Sequence, residues 1–256
     1  MINDEQLKHN LFVIEIYFSS TLRGIACLAI CVMYILLVSS QTSFAAAVNN
    51  SVNIFPPGGK PYGLTYSDHI KNFWNFIISL PADRSPWEDK TGANCDNGQS
   101  QKNSPVFYLS GNGGGVSNRT CKVPAGRGLF IPVSPMEISD KEAPKASVDQ
   151  LDKIAKKDQD SVTSLYLKIG DKEYNRADLS QYRIHTGVFE VTFPNNAIFG
   201  ATQGISKAVA DGYYVITEPL TKGTYNIHYV SSLICPGTDC LQPNFAQDVK
   251  YTIIVQ

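Results

Sequence analysis

From Val106 onward the apolar residues of this chain come in short runs separated by turn residues, not at helical spacing. The runs are VFYLS, RTCKV, GLFIPV, SLYLKIG, YRIHTGVFEVTF, GYYVITEPL, GTYNIHYVSSL and VKYTIIVQ. They are rich in Val, Ile, Tyr, Phe and Thr and are bounded by Gly, Pro, Asn and Asp, the signature of strands. Two stretches depart from this period. In SDHIKNFWNFIISLP, residues Ile70, Phe73, Trp74 and Ile77 recur at helical spacing, with Ser67 placed to cap and Pro81 to terminate. This predicts an amphipathic helix near 68–80 with an aromatic face. In SVDQLDKIAKKDQDSV, Ser147 caps a second helix near 148–160, with Val148, Leu151, Ile154 and Ala155 on one face and a solvated Lys/Asp face opposite. The expected fold is mainly β. It is a single β-sandwich of jelly-roll or immunoglobulin-like type over residues 67–256, with an N-terminal amphipathic helix and one inserted helix. SVNIFPPGGKPYG lacks periodicity and reads as part of a linker over 48–66.

The first 47 residues read as a targeting segment. Arg23 precedes the apolar run GIACLAICVMYILLV, and a small-residue AAA site ends at Ala47. A basic residue, a short apolar core and small residues at the cleavage point form a secretory signal peptide, with cleavage after Ala47 or Ala45. The alternative is an uncleaved N-terminal anchor, although the run of about 15 residues falls short of the roughly 20 that span a bilayer. In both cases the remainder is expected outside the cytoplasm, secreted or on the outer face of the cytoplasmic membrane.

The segment holds 2 of the 22 basic and 3 of the 23 acidic residues, which leaves 20 of each in the other 209. That balance argues against nucleic acid or anionic lipid as a partner. Membrane contact is expected only through an uncleaved N-terminus. Cys27 and Cys31 lie in the apolar run, and Cys95, Cys121, Cys235 and Cys240 lie beyond it. An even number in an exported chain points to two disulfides, for which three pairings exist. We expect Cys95–Cys121 and Cys235–Cys240, because CPGTDC carries turn residues that fold it back on itself. A four-thiolate zinc site would need paired knuckles that Cys95 and Cys121 lack. No metal or cofactor is expected.

Candidate chemistry is sparse. The loop GNGGG, Gly111–Gly115, follows a strand-like run but has no Lys-Ser/Thr and no following helix, so it does not cradle phosphate. It reads as a mobile hairpin loop that could gate a surface, with Asn112 as its polar contact. DNGQ (Asp96–Gln99) and ADG (Ala210–Gly212) lack the further ligands of a calcium loop and read as simple turns. Trp87 in RSPWEDK could stack on a sugar or plug the sandwich edge. His228 alternates with Ile227 and Tyr229 and so points away from the apolar face. No catalytic signature accompanies His185 or His228. Asn118-Arg119-Thr120 is a glycosylation sequon, expected in a loop; Asn49-Asn50-Ser51 is another.

FWNFIISLP, TGANCDNGQ, VFYLSG and RTCKVPAGRGLFIPV together resemble a family of uncharacterised exported prokaryotic proteins with TG-x2-C-x2-GQ and C-x-VPAG-[KR]-x-LF-x-PV motifs. SLYLKIGDKEY, FPNNAIFG, VADGYYVITEPLTKGTYNIHYV and DVKYTIIV extend the likeness over roughly 67–255. Arg127 stands where Lys is usual, and CPGTDC is an insertion. The resemblance implies export, a Cys95–Cys121 disulfide and a C-terminal sandwich, with the last hairpin turning at Lys222-Gly223. It supplies no activity. The expectation is therefore a non-enzymatic domain binding a carbohydrate, envelope component or protein partner through Trp87, Asn112, His185 and His228. The alternatives are an extracytoplasmic hydrolase using His228 and His185, or a structural envelope protein.

Overall fold

The computed structural model describes residues 52–99, 104–237 and 240–256. The expected signal segment lies outside them. Ten strands and three α-helices are described: β1 Val106–Tyr108, β2 Gly115–Val123, β3 Gly128–Ser139, β4 Val162–Ile169, β5 Lys172–Asn175, β6 Arg183–His185, β7 Phe189–Phe193, β8 Gly204–Ile216, β9 Gly223–Ile234 and β10 Asn244–Val255, with α1 Tyr66–Ile78, α2 Val148–Asp160 and α3 Arg176–Leu179. They form two five-stranded sheets. One runs β1-β3-β8, with β6 and β7 sharing the outer edge of β8. The other runs β2-β10-β9-β4-β5. Most pairings are antiparallel, but β1 with β3 and β2 with β10 are parallel. The fold is thus mainly β, two sheets with helices, compatible with a β-sandwich.

The burial patterns explain the layering. All 12 residues of β3 are buried, so the first sheet is covered on both faces. On one face α1 packs its aromatics: the Phe73 and Phe130 rings stack at 5.1 Å, and Trp74 Nε1 donates to Tyr214 Oη at 3.2 Å. Beside the other face, α2 sets Leu151 and Ala155 against Met136, Ile138 and Val209. The second sheet instead alternates buried and exposed positions along β2, β9 and β10, so one of its faces looks outward. Among the described residues no helix is long and apolar enough to cross a membrane.

Ser147 caps α2 through a reciprocal bond with Gln150, as the sequence predicts. The α1 cap differs. Thr65, not Ser67, caps the helix in a box with Asp68, so α1 starts at Tyr66. The segment expected to be a linker is packed from Val52 on: Ile54 bridges to Thr217, and Phe55 N–H donates to Ile216 O. Two turn readings were also wrong. Ala210–Gly212 lies inside β8, where Asp211 accepts both Arg183 Nε and Nη2 at 3.0 Å. Gly212 is needed there because a Cβ would fall 2.5 Å from Ser134 O. Lys222-Gly223 does not close a hairpin, since β8 and β9 belong to different sheets.

Both expected disulfides form, with Cα separations of 5.8 Å for Cys95–Cys121 and 6.1 Å for Cys235–Cys240. Such bonds belong to an oxidising environment. The first anchors a loop, residues 89–95, whose Asp89 carboxylate accepts the N–H groups of Thr91, Gly92 and Asn94. That loop lies along β2: Asn118 and Thr120 donate N–H to Lys90 O and Thr91 O, each at 3.0 Å.

Candidate functional site: the outward face of the second sheet

Because side chains alternate along a strand, the even-numbered positions of β2, β9 and β10 share the outward face. Register then sets them in rows. Asn118 pairs with Lys250, Lys250 with His228, His228 with Lys168, and Lys168 with Glu173, one residue from each of five strands. At roughly 4.8 Å per strand the row is about 19 Å long. A second row sets Thr120 opposite Thr252 and Thr252 opposite Asn226. All of these except Glu173 line a groove of about 520 Å3 that also reaches Gly170 and Asp171.

The charges on this face are mixed. Lys168 Nζ and Glu173 Oε1 are 2.7 Å apart, which holds the ammonium above and the carboxylate below its usual range. His228 Nε2 lies 2.9 Å from Asp248 Oδ1, and Lys250 Nζ is 3.9 Å from the same oxygen. The Tyr166 ring meets His228 edge-on at 5.5 Å. The ammonium groups of Lys168 and Lys250 and the His228 ring thus sit among Asp171, Asp248 and Glu173, with Asn and Thr between them. The face offers donors and acceptors in near-equal measure rather than a field of one sign.

A buried cation lies behind this face. Arg119 is 2 % exposed, and its guanidinium donates to Asp89 O at 2.6 Å, Ser110 O at 2.5 Å and Gly111 O at 3.1 Å. These backbone acceptors replace the water it loses. Two loops and β2 are tied together by one side chain.

Of the residues singled out from sequence, His228 lies in the groove. Asn118 also lines it, exposed but on β2 and not in a loop. Trp87 is not a surface platform: it is 6 % exposed and packs on Trp74 at 5.6 Å and Phe199 at 5.5 Å. The bulk of its ring fills the space between loop and helix, so hydrophobic burial decides its place. Asn112 is buried as well, with its amide donating to Ser117 Oγ at 2.7 Å and its oxygen accepting Gly114 N–H at 2.9 Å. The glycine loop is therefore pinned, and it connects two sheets instead of closing a hairpin. Gly111 admits no side chain, because a Cβ would lie 2.9 Å from Gln247 Oε1. His185 is on β6 of the first sheet, with Nε2 2.7 Å from Asp152 of α2. The two histidines stand on different sheets, so they do not form one site.

Lys168, Asn226, Lys250 and Thr252 were missed. Their alternation with apolar neighbours was visible in SLYLKI, TYNIHYV and DVKYTIIV, but the register that aligns them was not. No family model, no curated protein and no solved structure matches this chain.

Proposed function

We propose that this chain is an exported, non-enzymatic domain that binds a carbohydrate on the outward face of its second sheet. The observation that carries this reading is the five-strand row from Asn118 to Glu173, flanked by Thr120, Thr252 and Asn226. A sugar presents hydroxyls that both donate and accept, and a surface of balanced amides, hydroxyls, ammonium groups and carboxylates satisfies both roles. A polyanion would meet Asp171, Asp248 and Glu173 and lose as much as it gained. The resemblance to exported prokaryotic proteins supports a place in the envelope or outside the cell. The sandwich subclass, immunoglobulin-like or jelly-roll, does not alter the reading.

The separate sheets of His185 and His228 support the binding reading over the hydrolase alternative. A structural envelope role stays as the competing reading. The deciding experiment is a glycan array with the full chain, repeated with Lys250→Ala. Selective binding that the variant loses supports the proposal. An array without a hit, or one on which Lys250→Ala binds unchanged, sinks it and favours the structural role.

A further inference from the structure

Asp158, at the end of α2, is fully buried. Its carboxylate accepts N–H from Leu241 at 3.2 Å and from Gln242 at 3.3 Å, the two residues that follow Cys240. The acid is thereby folded against the Cys235–Cys240 loop. One of its oxygens and the two sulfurs all lie within 4.8 Å of one another. Cys235 is buried and Cys240 half-buried.

We infer that reduction of Cys235–Cys240 uncovers a zinc site built from the two thiolates and the Asp158 carboxylate. A tetrahedral zinc, about 2.3 Å from sulfur and about 2.0–2.2 Å from oxygen, needs donors roughly 3.5–3.8 Å apart. Breaking the disulfide moves the sulfurs from bonding to non-bonded separation, which is that range. The carboxylate oxygen, within 4.8 Å of both sulfurs, has to close by about 1 Å at most. The carboxylate's bonds to Leu241 and Gln242 use two of about four lone-pair positions and already orient it, as outer-shell donors do for metal ligands. Full burial strips the Asp158 carboxylate of water, a penalty that a bound cation relieves. Three protein ligands leave a fourth position for water or an exogenous donor.

The redox step balances with a dithiol reductant. Its thiolate attacks Sγ of Cys240, the Cys235–Cys240 bond breaks, and Cys235 leaves as thiolate. The second reductant thiol then closes on its partner sulfur and releases Cys240. The reductant departs as a cyclic disulfide, two electrons poorer, and zinc takes the place of the two cysteine protons. Disulfide and metal exclude each other, so zinc binding reports the redox state of this loop. The other pair is shielded: Cys95 and Cys121 are 6 % and 2 % exposed.

The test is a cobalt titration of the full chain before and after mild reduction, with peptide mapping to verify that Cys95–Cys121 stays closed. The reduced chain should take up one equivalent with a thiolate charge-transfer band and tetrahedral d–d bands, and the oxidised chain none. Zinc should displace the cobalt. Cys235→Ser should abolish the bands, and Asp158→Asn should weaken binding at least 10-fold, about the loss an outer-shell change already causes. No bands in the reduced chain, bands that survive Cys235→Ser, or unchanged affinity in Asp158→Asn would each overturn the site. Should Asp158→Asn fail to fold, X-ray absorption on the zinc-loaded wild type replaces it. A shell of two sulfurs with oxygen is expected, and any other sulfur count overturns the assignment.

Discussion

Arg119 Nη1 lies 2.6 Å from Tyr251 Oη, and its guanidinium carbon sits 5.4 Å from the centre of the same ring. The two residues are cross-strand neighbours on β2 and β10, facing inward directly behind the polar groove. Tyr251 Oη also accepts Ser110 N–H at 3.0 Å and donates to Ser110 O at 2.9 Å. The pair thus converts a loop without regular structure into a fixed support for the sheet.

Arg119→Met should remove that support, strip Asp89 O of its donor, and take one donor each from Ser110 O and Gly111 O, which keep Tyr251 Oη and Ser110 Oγ. Hydrogen bonds to a charged group contribute about 1.5–3 kcal/mol each, so losing those of the guanidinium should cost roughly 3–5 kcal/mol. For a chain of this size that is on the order of 10 °C in Tm by thermal denaturation. Arg119→Lys should rescue little, since an ammonium cannot reproduce the planar fork. A Tm within 2 °C of wild type for Arg119→Met would contradict this role.

Groove residues should separate binding from stability. His228→Ala and Asn226→Ala change outward side chains, so each should stay within about 0.5 kcal/mol of wild-type stability. Each should weaken glycan binding several-fold in a direct titration. Loss of stability in parallel with binding would mean that the face is structural.

Trp87→Ala should do the reverse. Removing a buried indole that packs on Trp74 and Phe199 costs about 3–5 kcal/mol. Urea unfolding should show that loss while any glycan affinity of the remaining folded protein holds. A stable variant with lost affinity would restore Trp87 as a contact residue.

Stability should be greatest at mildly acid pH. Glu137 is 4 % exposed, and neither of its oxygens meets a donor among the described residues. Burial, with the nearby Glu142 charge, holds it well above the ordinary carboxylate range, and Glu142 is raised by burial too. A raised carboxyl favours the folded state while protonated. That contribution is whole below about pH 4.5 and declines as pH rises toward the folded value; Asp158, raised to about 6, has the same sign. Asp68, Asp89 and Asp152 are held low, so their contribution is lost as pH falls below about 3.8. Chemical denaturation from pH 3 to 8 should therefore peak near pH 4–5, and Glu137→Gln should flatten the alkaline slope. A profile that rises steadily to pH 8 would refute this.

The two disulfides should differ in weight. Chain-entropy arithmetic gives about 3.5 kcal/mol for the bond spanning 26 positions and about 2 kcal/mol for the one spanning 5. Paired Cys→Ser variants measured by thermal unfolding should preserve that order. Equal losses would show that contacts, not loop closure, set the contribution.

Local chemistry was legible where it acts over a few residues. Ser147 and Gln150 box the start of α2, and the alternation around His228 turned that side chain outward. What the sequence concealed depended on distant partners. Asp211 and Gly212 look like a turn, yet Arg183 neutralises the acid and the bulge beside Ser134 demands the glycine, so β8 passes through unbroken. Thr221-Lys222-Gly223 reads as a hairpin, but the apolar inner positions of β9 pack better beside β4 and β10, which sends the chain to the other sheet. Trp87 lacked any periodic neighbour, because its packing partners come from α1 and from Phe199. The groove itself is a product of register between strands far apart in sequence.

The loop that runs along β2 also has a bearing on solubility. An uncovered edge strand offers its N–H and C=O groups to any other chain as a template. Here Lys90 and Thr91 occupy that edge, and the Cys95–Cys121 bond keeps them there. Opening this bond would free the edge of β2 around Asn118 and Thr120 for intermolecular pairing. The disulfide thus acts as a guard on the colloidal behaviour of the protein, and strong reductants should turn a monodisperse solution into a self-associating one before the core itself unfolds.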